Sequence, residues 1–190
     1  PWSDSVNFDA VGFLGYSIGG AAAAEAATID SRIAAVVNLD GDLFGQALAG
    51  KVRAPYLDFT RDYPVPDAAA MNAPSPQERY PSRLLAREFR ERINLAARPG
   101  SAGVRILRSD HSSFSDAALE PHLSRTWILD NPINFYSAIN LYTRDFFDVH
   151  LKGRKPALLD RERSILPSAA TYKEKGFYPG GPIAMPPLQE

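Results

Sequence analysis

Ser17, Asp40 and His111 carry, in that chain order, the three side-chain chemistries that nucleophilic attack on an acyl carbon needs. A serine hydroxyl becomes a nucleophile when a base removes its proton, and an imidazole serves as that base when a carboxylate fixes its tautomer. Ser17 sits in Gly15-Tyr16-Ser17-Ile18-Gly19-Gly20, a G-x-S-x-G pattern. Gly15 and Gly19 are expected to let the backbone take the sharp, strained turn that presents such a serine. A helix beginning at Ile18 would leave the Ile18 N–H free to donate to a developing oxyanion. A glycine-rich turn can equally bind a phosphate or simply join a strand to a helix. The flanks favour the nucleophile: the apolar run Val11-Gly12-Phe13-Leu14 precedes it, and Ala21-Ala22-Ala23-Ala24 follows.

Three histidines could supply the base. His111, in Ser109-Asp110-His111-Ser112-Ser113-Phe114, is expected on a polar loop just past a strand, from which an imidazole can reach across the strand ends. His122 follows Pro121 in a polar segment and reads as structural or exposed, whereas His150 falls on a helix and reads as a solvated surface residue. Position alone leaves two candidates for the orienting acid. Asp40 ends the second predicted strand and Asp62 follows the third, and either keeps the order Ser, Asp, His. Leu43, Phe44, Phe114 and Trp127 lie near these motifs and, with Tyr16, are candidates for an apolar acyl pocket; core packing is the competing assignment. Such chemistry calls for no metal and no organic cofactor.

The elements that must hold these groups follow from the pattern of apolar residues. Asp9 to Leu14 reads as a short buried strand and Ile18 to Thr28 as an alanine-rich helix small enough to lie close to a sheet. Ile33 to Leu39 is an almost continuous apolar run, as a parallel strand covered on both faces would be. Pro55 to Thr60 is predicted as a third strand led by its proline, and Val104 to Leu107 as a fourth. Residues 61–82, rich in proline and charge, read as a surface loop. A helix is predicted from Arg83 to Ala97 on the spacing of Leu85, Phe89, Ile93 and Ala96, with Arg98-Pro99-Gly100 as its stop. The last helix starts near Asn131-Pro132, carries Phe135, Ile139, Tyr142, Phe146 and Val149 on one stripe, and ends at Gly153. Strands alternating with helices predict a parallel α/β sheet, whose functional groups collect at the carboxyl ends of the strands. Ser17, Asp40 and His111 all fall there.

Composition bounds the partners. The chain has 190 residues, 45% hydrophobic and 23% charged, with 21 basic and 22 acidic side chains giving a formal charge of −1. That balance argues against a nucleic-acid partner, and no apolar run approaches the roughly 20 residues that span a bilayer. There is no cysteine, hence no disulfide and no thiolate site, and both redox compartments remain open. Residues 154–190 are rich in proline and charge and read as an extended tail, with weak helical potential near Leu158 to Ile165, beyond a domain of residues 1–153.

Three stretches together resemble a known family. They are Gly15 to Gly20; Asp30-Ser31-Arg32-Ile33 leading into Val37-Asn38-Leu39-Asp40-Gly41; and His111-Ser112-Ser113-Phe114-Ser115-Asp116. They are similar to the platelet-activating-factor acetylhydrolase-like branch of the α/β-hydrolases, itself similar to dienelactone-hydrolase-type enzymes. Tyr142 to Gly153, with Phe146-Phe147 and His150-Leu151, resembles the family's last helix, so the likeness covers residues 9–153. The resemblance implies a serine esterase acting on a small-molecule ester, and it selects Asp40 over Asp62 as the acid. It implies the C-terminal part of an α/β-hydrolase fold, a mainly parallel sheet of about four strands flanked by helices. Tyr16 departs from the family, in which histidine commonly precedes the nucleophile; the departure bears on pocket polarity. The family also places several strands, with a second oxyanion donor, before the nucleophile. Only fourteen residues precede Gly15. The expectation is therefore that the N-terminal strands are absent from this chain, and that an upstream segment associates with it.

Overall fold

The computed structural model describes residues 2–62, 64–116, 132–167 and 169–174. Five strands form one sheet in the order of the sequence: β1 (Val11–Tyr16), β2 (Ile33–Leu39), β3 (Tyr56–Thr60), β4 (Ala102–Ile106) and β5 (Ala169–Thr171). β1 to β4 run parallel, and β5 pairs antiparallel with β4 through Val104 and Thr171. Strands are present at the four predicted places. The first, expected to be buried over Asp9 to Leu14, instead runs Val11–Tyr16 with Phe13 and Leu14 exposed. A fifth strand comes from the segment expected to be an extended tail. Ala169-Ala170-Thr171 has no apolar run to announce it; its pairing with β4 makes it a strand.

β2, β3 and β4 are buried on both sides, and their side chains, pointing alternately to the two faces, sort the helices onto those faces. Ala35, Val37 and Leu39 of β2 and Leu57 and Phe59 of β3 pack with Phe135, Ala138, Ile139, Tyr142 and Phe146 of α5 (Pro132–Lys152). Val36 and Tyr56 turn to the other face, against Ala23, Ala24 and Ala27 of α1 (Ile18–Ile29) and Leu95 of α4 (Pro76–Ala96). The alanine side chains let α1 lie close to β1 and β2. α5 ends where Gly153 takes a φ of +65°, as predicted from its glycine.

Two expectations change in the 61–82 region. α4 starts at Pro76, seven residues before Arg83, and a short helix α3 (Ala68–Met71) precedes it. Proline marks this stretch as loop to a sequence reader, yet Pro76 occupies a first-turn position where no N–H is needed. Pro81 is tolerated inside the helix. Asp67 caps α3 by accepting from the Ala70 N–H at 2.8 Å. A further short helix, α2 (Gly45–Leu48), follows β2. The helical potential near Leu158 to Ile165 is not realised: the Asp145 carboxylate instead binds the N–H groups of Ala157, Leu158 and Leu159 in a turn. Among the described residues no helix is long and apolar enough to cross a membrane.

Candidate active site

The turn between β1 and α1 is built by its glycines. A Cβ at Gly15 would lie 2.2 Å from the Gly19 carbonyl carbon, and one at Gly20 would lie 2.0 Å from Asn38 Oδ1. Gly19 has open space around it, so the close approach falls on Gly15 and Gly20 rather than on Gly15 and Gly19. Between them Ser17 adopts φ 55° and ψ −123°, a region L-residues rarely enter. The Ser17 N–H donates to the Leu39 carbonyl at 2.9 Å, tying the turn to β2. The Ser17 side chain makes no capping bond to α1, which leaves Oγ for another partner.

That partner is His111. Its Nε2 stands 2.8 Å from Ser17 Oγ, and its Nδ1 stands 2.6 Å from Asp40 Oδ2. His111 opens a 3-10 turn, His111–Phe114, that Asp110 caps: its carboxylate accepts from the Ser113 N–H at 3.0 Å, and the Ser113 hydroxyl accepts from the Asp110 N–H at 3.1 Å. Tyr16 donates its phenol proton to the His111 carbonyl at 3.0 Å, and the two rings lie 4.9 Å apart. Burial, and then the charge of Asp40, push the Tyr16 phenol up, which keeps it protonated as that donor.

Asp40 is 2% exposed and takes a φ of 53°, a second non-glycine residue in the left-handed region beside Ser17. Its backbone N–H donates to Phe59 at 2.9 Å. Oδ1 accepts from the Arg61 N–H at 3.1 Å, and Oδ2 accepts from Arg61 Nη1 at 2.7 Å. Arg61 Nη1 is also 3.0 Å from His111 Nδ1. Nδ1 cannot donate to Asp40 and accept from arginine at once. The shorter contact, to a buried carboxylate, assigns the proton to Nδ1. Nε2 is then the acceptor facing Ser17 Oγ, and both cationic and imidazole donors converge on Asp40 Oδ2.

The alternative acid faces elsewhere. Asp62 pairs with Arg105 and accepts from the Arg108 N–H at 2.7 Å. Ile18 opens α1, so its N–H has no intrahelical acceptor, and its side chain is 80% exposed. Of the pocket candidates, Leu43 and Phe114 are buried in the two main core clusters, Phe44 is exposed, and Tyr16 packs beside His111. Trp127 and His122 lie outside the described residues. His150, expected to be solvated, packs edge-on to Phe146 at 4.6 Å and donates from Nε2 to the Gly100 carbonyl at 2.6 Å. Arg61 carried no signal in the sequence beyond following β3, because no local pattern marks a residue that acts by reaching a neighbouring strand.

No protein-family model matches the sequence, and no curated protein shows significant similarity to it. Among solved structures, the chain is similar to a ferulic acid esterase from Streptomyces cinnamoneus, at 25% identity and a TM-score of 0.59. The match covers 87% of this chain and 47% of the esterase, so the chain spans about half the length of that protein. The likeness agrees with the α/β architecture, a mostly parallel sheet flanked by helices.

Proposed function

We propose that this chain carries the nucleophile-bearing part of a serine-dependent carboxylic ester hydrolase. The supporting observation is the unbroken hydrogen-bonded series from Ser17 Oγ through His111 to Asp40, at 2.8 and 2.6 Å. His111 Nε2 takes the Ser17 proton as Oγ bonds to the ester carbonyl carbon. Asp40 holds the imidazole in the required tautomer and stabilises the imidazolium. The Ile18 N–H donates to the oxyanion. The imidazolium then protonates the leaving alkoxide, leaving an acyl-serine. Water, deprotonated at Nε2, attacks that ester, and the proton returns to Ser17 as the carboxylic acid departs. No metal or cofactor enters these steps. Within ester hydrolases, an acid placed directly after β2 in Leu39-Asp40-Gly41 favours the acetylhydrolase-like or dienelactone-hydrolase-like branch. A lactone hydrolase or peptidase would use the same three residues.

A second reading has its own observation. β1 lies at the edge of the sheet with Phe13 and Leu14 exposed, and the similar esterase extends over about twice this length. On that reading a further segment covers β1 and supplies a second oxyanion donor, without which about 3–4 kcal/mol of transition-state stabilisation is lost. Hydrolysis of p-nitrophenyl acetate and methyl ferulate, together with fluorophosphonate labelling, tests both. Ser17→Ala is expected to abolish labelling and to cut turnover by about 10⁶-fold. Turnover surviving in Ser17→Ala overturns the ester-hydrolase assignment. Labelling of Ser17 with negligible turnover, restored when an upstream segment is supplied, supports the second reading.

A further inference from the structure

Behind the acid turn lies a group of charged residues that the hydrolysis steps do not use. Arg92 of α4 is 1% exposed, and Asp58, in the middle of β3, is 1% exposed. Arg92 Nη1 donates to Asp58 Oδ1 at 2.6 Å, and Nε and Nη2 donate to Glu88 Oε1 at 3.0 and 2.8 Å. Nη2 also donates to the Gly41 carbonyl at 2.6 Å. Asn38 completes the clamp: its amide donates to that same carbonyl at 2.7 Å and accepts from the Gly41 N–H at 2.8 Å. Glu88 accepts from the Leu43 N–H at 3.1 Å.

Gly41 directly follows Asp40. A Cβ on it would stand 2.2 Å from the Ser17 carbonyl oxygen and 2.6 Å from the Ala21 nitrogen. The peptide held by Arg92 is thus wedged against the turn that carries the nucleophile. Asp40 itself sits at φ 53°, a conformation that persists only where surrounding bonds over-determine it. We propose that Arg92 is a positioning residue for ester cleavage: its buried guanidinium fixes the Gly41 carbonyl, and through it sets Asp40 and His111 relative to Ser17. Arginine suits the task because its planar fork serves Asp58, Glu88 and Gly41 in three directions at once, which one ammonium group cannot do. The proposal rests on the ester-hydrolase assignment for its kinetic readout and not for its structural one.

The test is Arg92→Lys in the full chain, read by p-nitrophenyl acetate kinetics, thermal melting, and the proton NMR signal of the His111 Nδ1–H. That signal is identified by its loss in Asp40→Asn. A displacement of about 1 Å at the acid costs on the order of 100-fold in rate. Arg92→Lys is therefore expected to lose about 10- to 100-fold in kcat with KM within about twofold, and to shift or broaden the Nδ1–H signal. A folded Arg92→Lys with unchanged kcat and an unmoved signal overturns the proposal. Should Arg92→Lys fail to fold, Glu88→Gln keeps an acceptor for Leu43 while loosening the hold on Arg92. The same movement of the Nδ1–H signal there supports the proposal, and an unmoved signal overturns it. A parent chain with no turnover and no Ser17 labelling overturns the ester-hydrolase assignment, while the NMR signal still judges the positioning role.

Discussion

Asp40 Oδ2 receives two donors, His111 Nδ1 at 2.6 Å and Arg61 Nη1 at 2.7 Å, so one oxygen orients the base while its charge is shared with a guanidinium. Asp62 has the opposite assignment, committed to Arg105 and to the Arg108 N–H. Asp40→Asn is accordingly expected to lower kcat on p-nitrophenyl acetate by about 10³- to 10⁴-fold, since an amide stabilises neither the tautomer nor the imidazolium. Asp62→Asn should change kcat by less than about threefold and act on stability instead, through the loop that carries Arg108. A larger kcat loss in Asp62→Asn would make that residue the orienting acid. Ser17 and His111 were legible as candidates locally, from a glycine pattern and from a polar loop after an apolar run, whereas Asp40 shared its strand-end position with Asp62 and was selected by the family resemblance. Arg61, Arg92 and the role of Tyr16 were not legible. Their partners lie on other strands and helices, and nothing in their own neighbourhoods records the meeting.

Among the elements, α1 and β2 were readable almost to the residue because their composition has one interpretation: small helix formers in one, an apolar run in the other. The start of α4 was hidden by Pro76 and Pro81, which signal a loop unless the first is known to sit in the opening turn. β5 was hidden because its pairing with β4 alone defines it. Asp58 did carry a clue. A carboxylate between Leu57 and Phe59 in a buried strand demands a partner, and the i,i+4 pair Glu88 and Arg92 on α4 supplies one. Burial, offset in part by Arg92, pushes Asp58 up to about 6 from 3.8. The folded chain then binds this proton more tightly than the unfolded chain. The Asp58 contribution to stability is full below about pH 4 and is lost as pH rises through about 6. Urea unfolding near pH 4 and near pH 6.5 should therefore show a decline from this residue on the order of 2 kcal/mol, relative to Asp58→Asn, in which it is absent. A pH dependence identical in the two proteins would place the charge of Asp58 outside the balance.

At the scale of the whole molecule, the sheet of the described residues runs from β1, where Phe13 and Leu14 are exposed, to the antiparallel β5 at the other edge. An apolar edge strand offers unpaired backbone groups on which a further strand can pair. The parallel order of β1 to β4 was legible from the alternation of strands with helices, and β2 most clearly, because a strand buried on both faces leaves an apolar run. The antiparallel β5 left none. The Ser17 backbone, held at φ 55° and ψ −123°, has a thermal signature for the molecule as a whole. Glycine enters that region at little steric cost, whereas alanine bears the same strain as serine. Ser17→Gly is expected to melt a few degrees above Ser17→Ala by calorimetry, although both lack the hydroxyl; equal melting temperatures would remove the strain from the account. A lineage released from selection for turnover would therefore drift toward glycine at position 17, growing hardier as it fell silent.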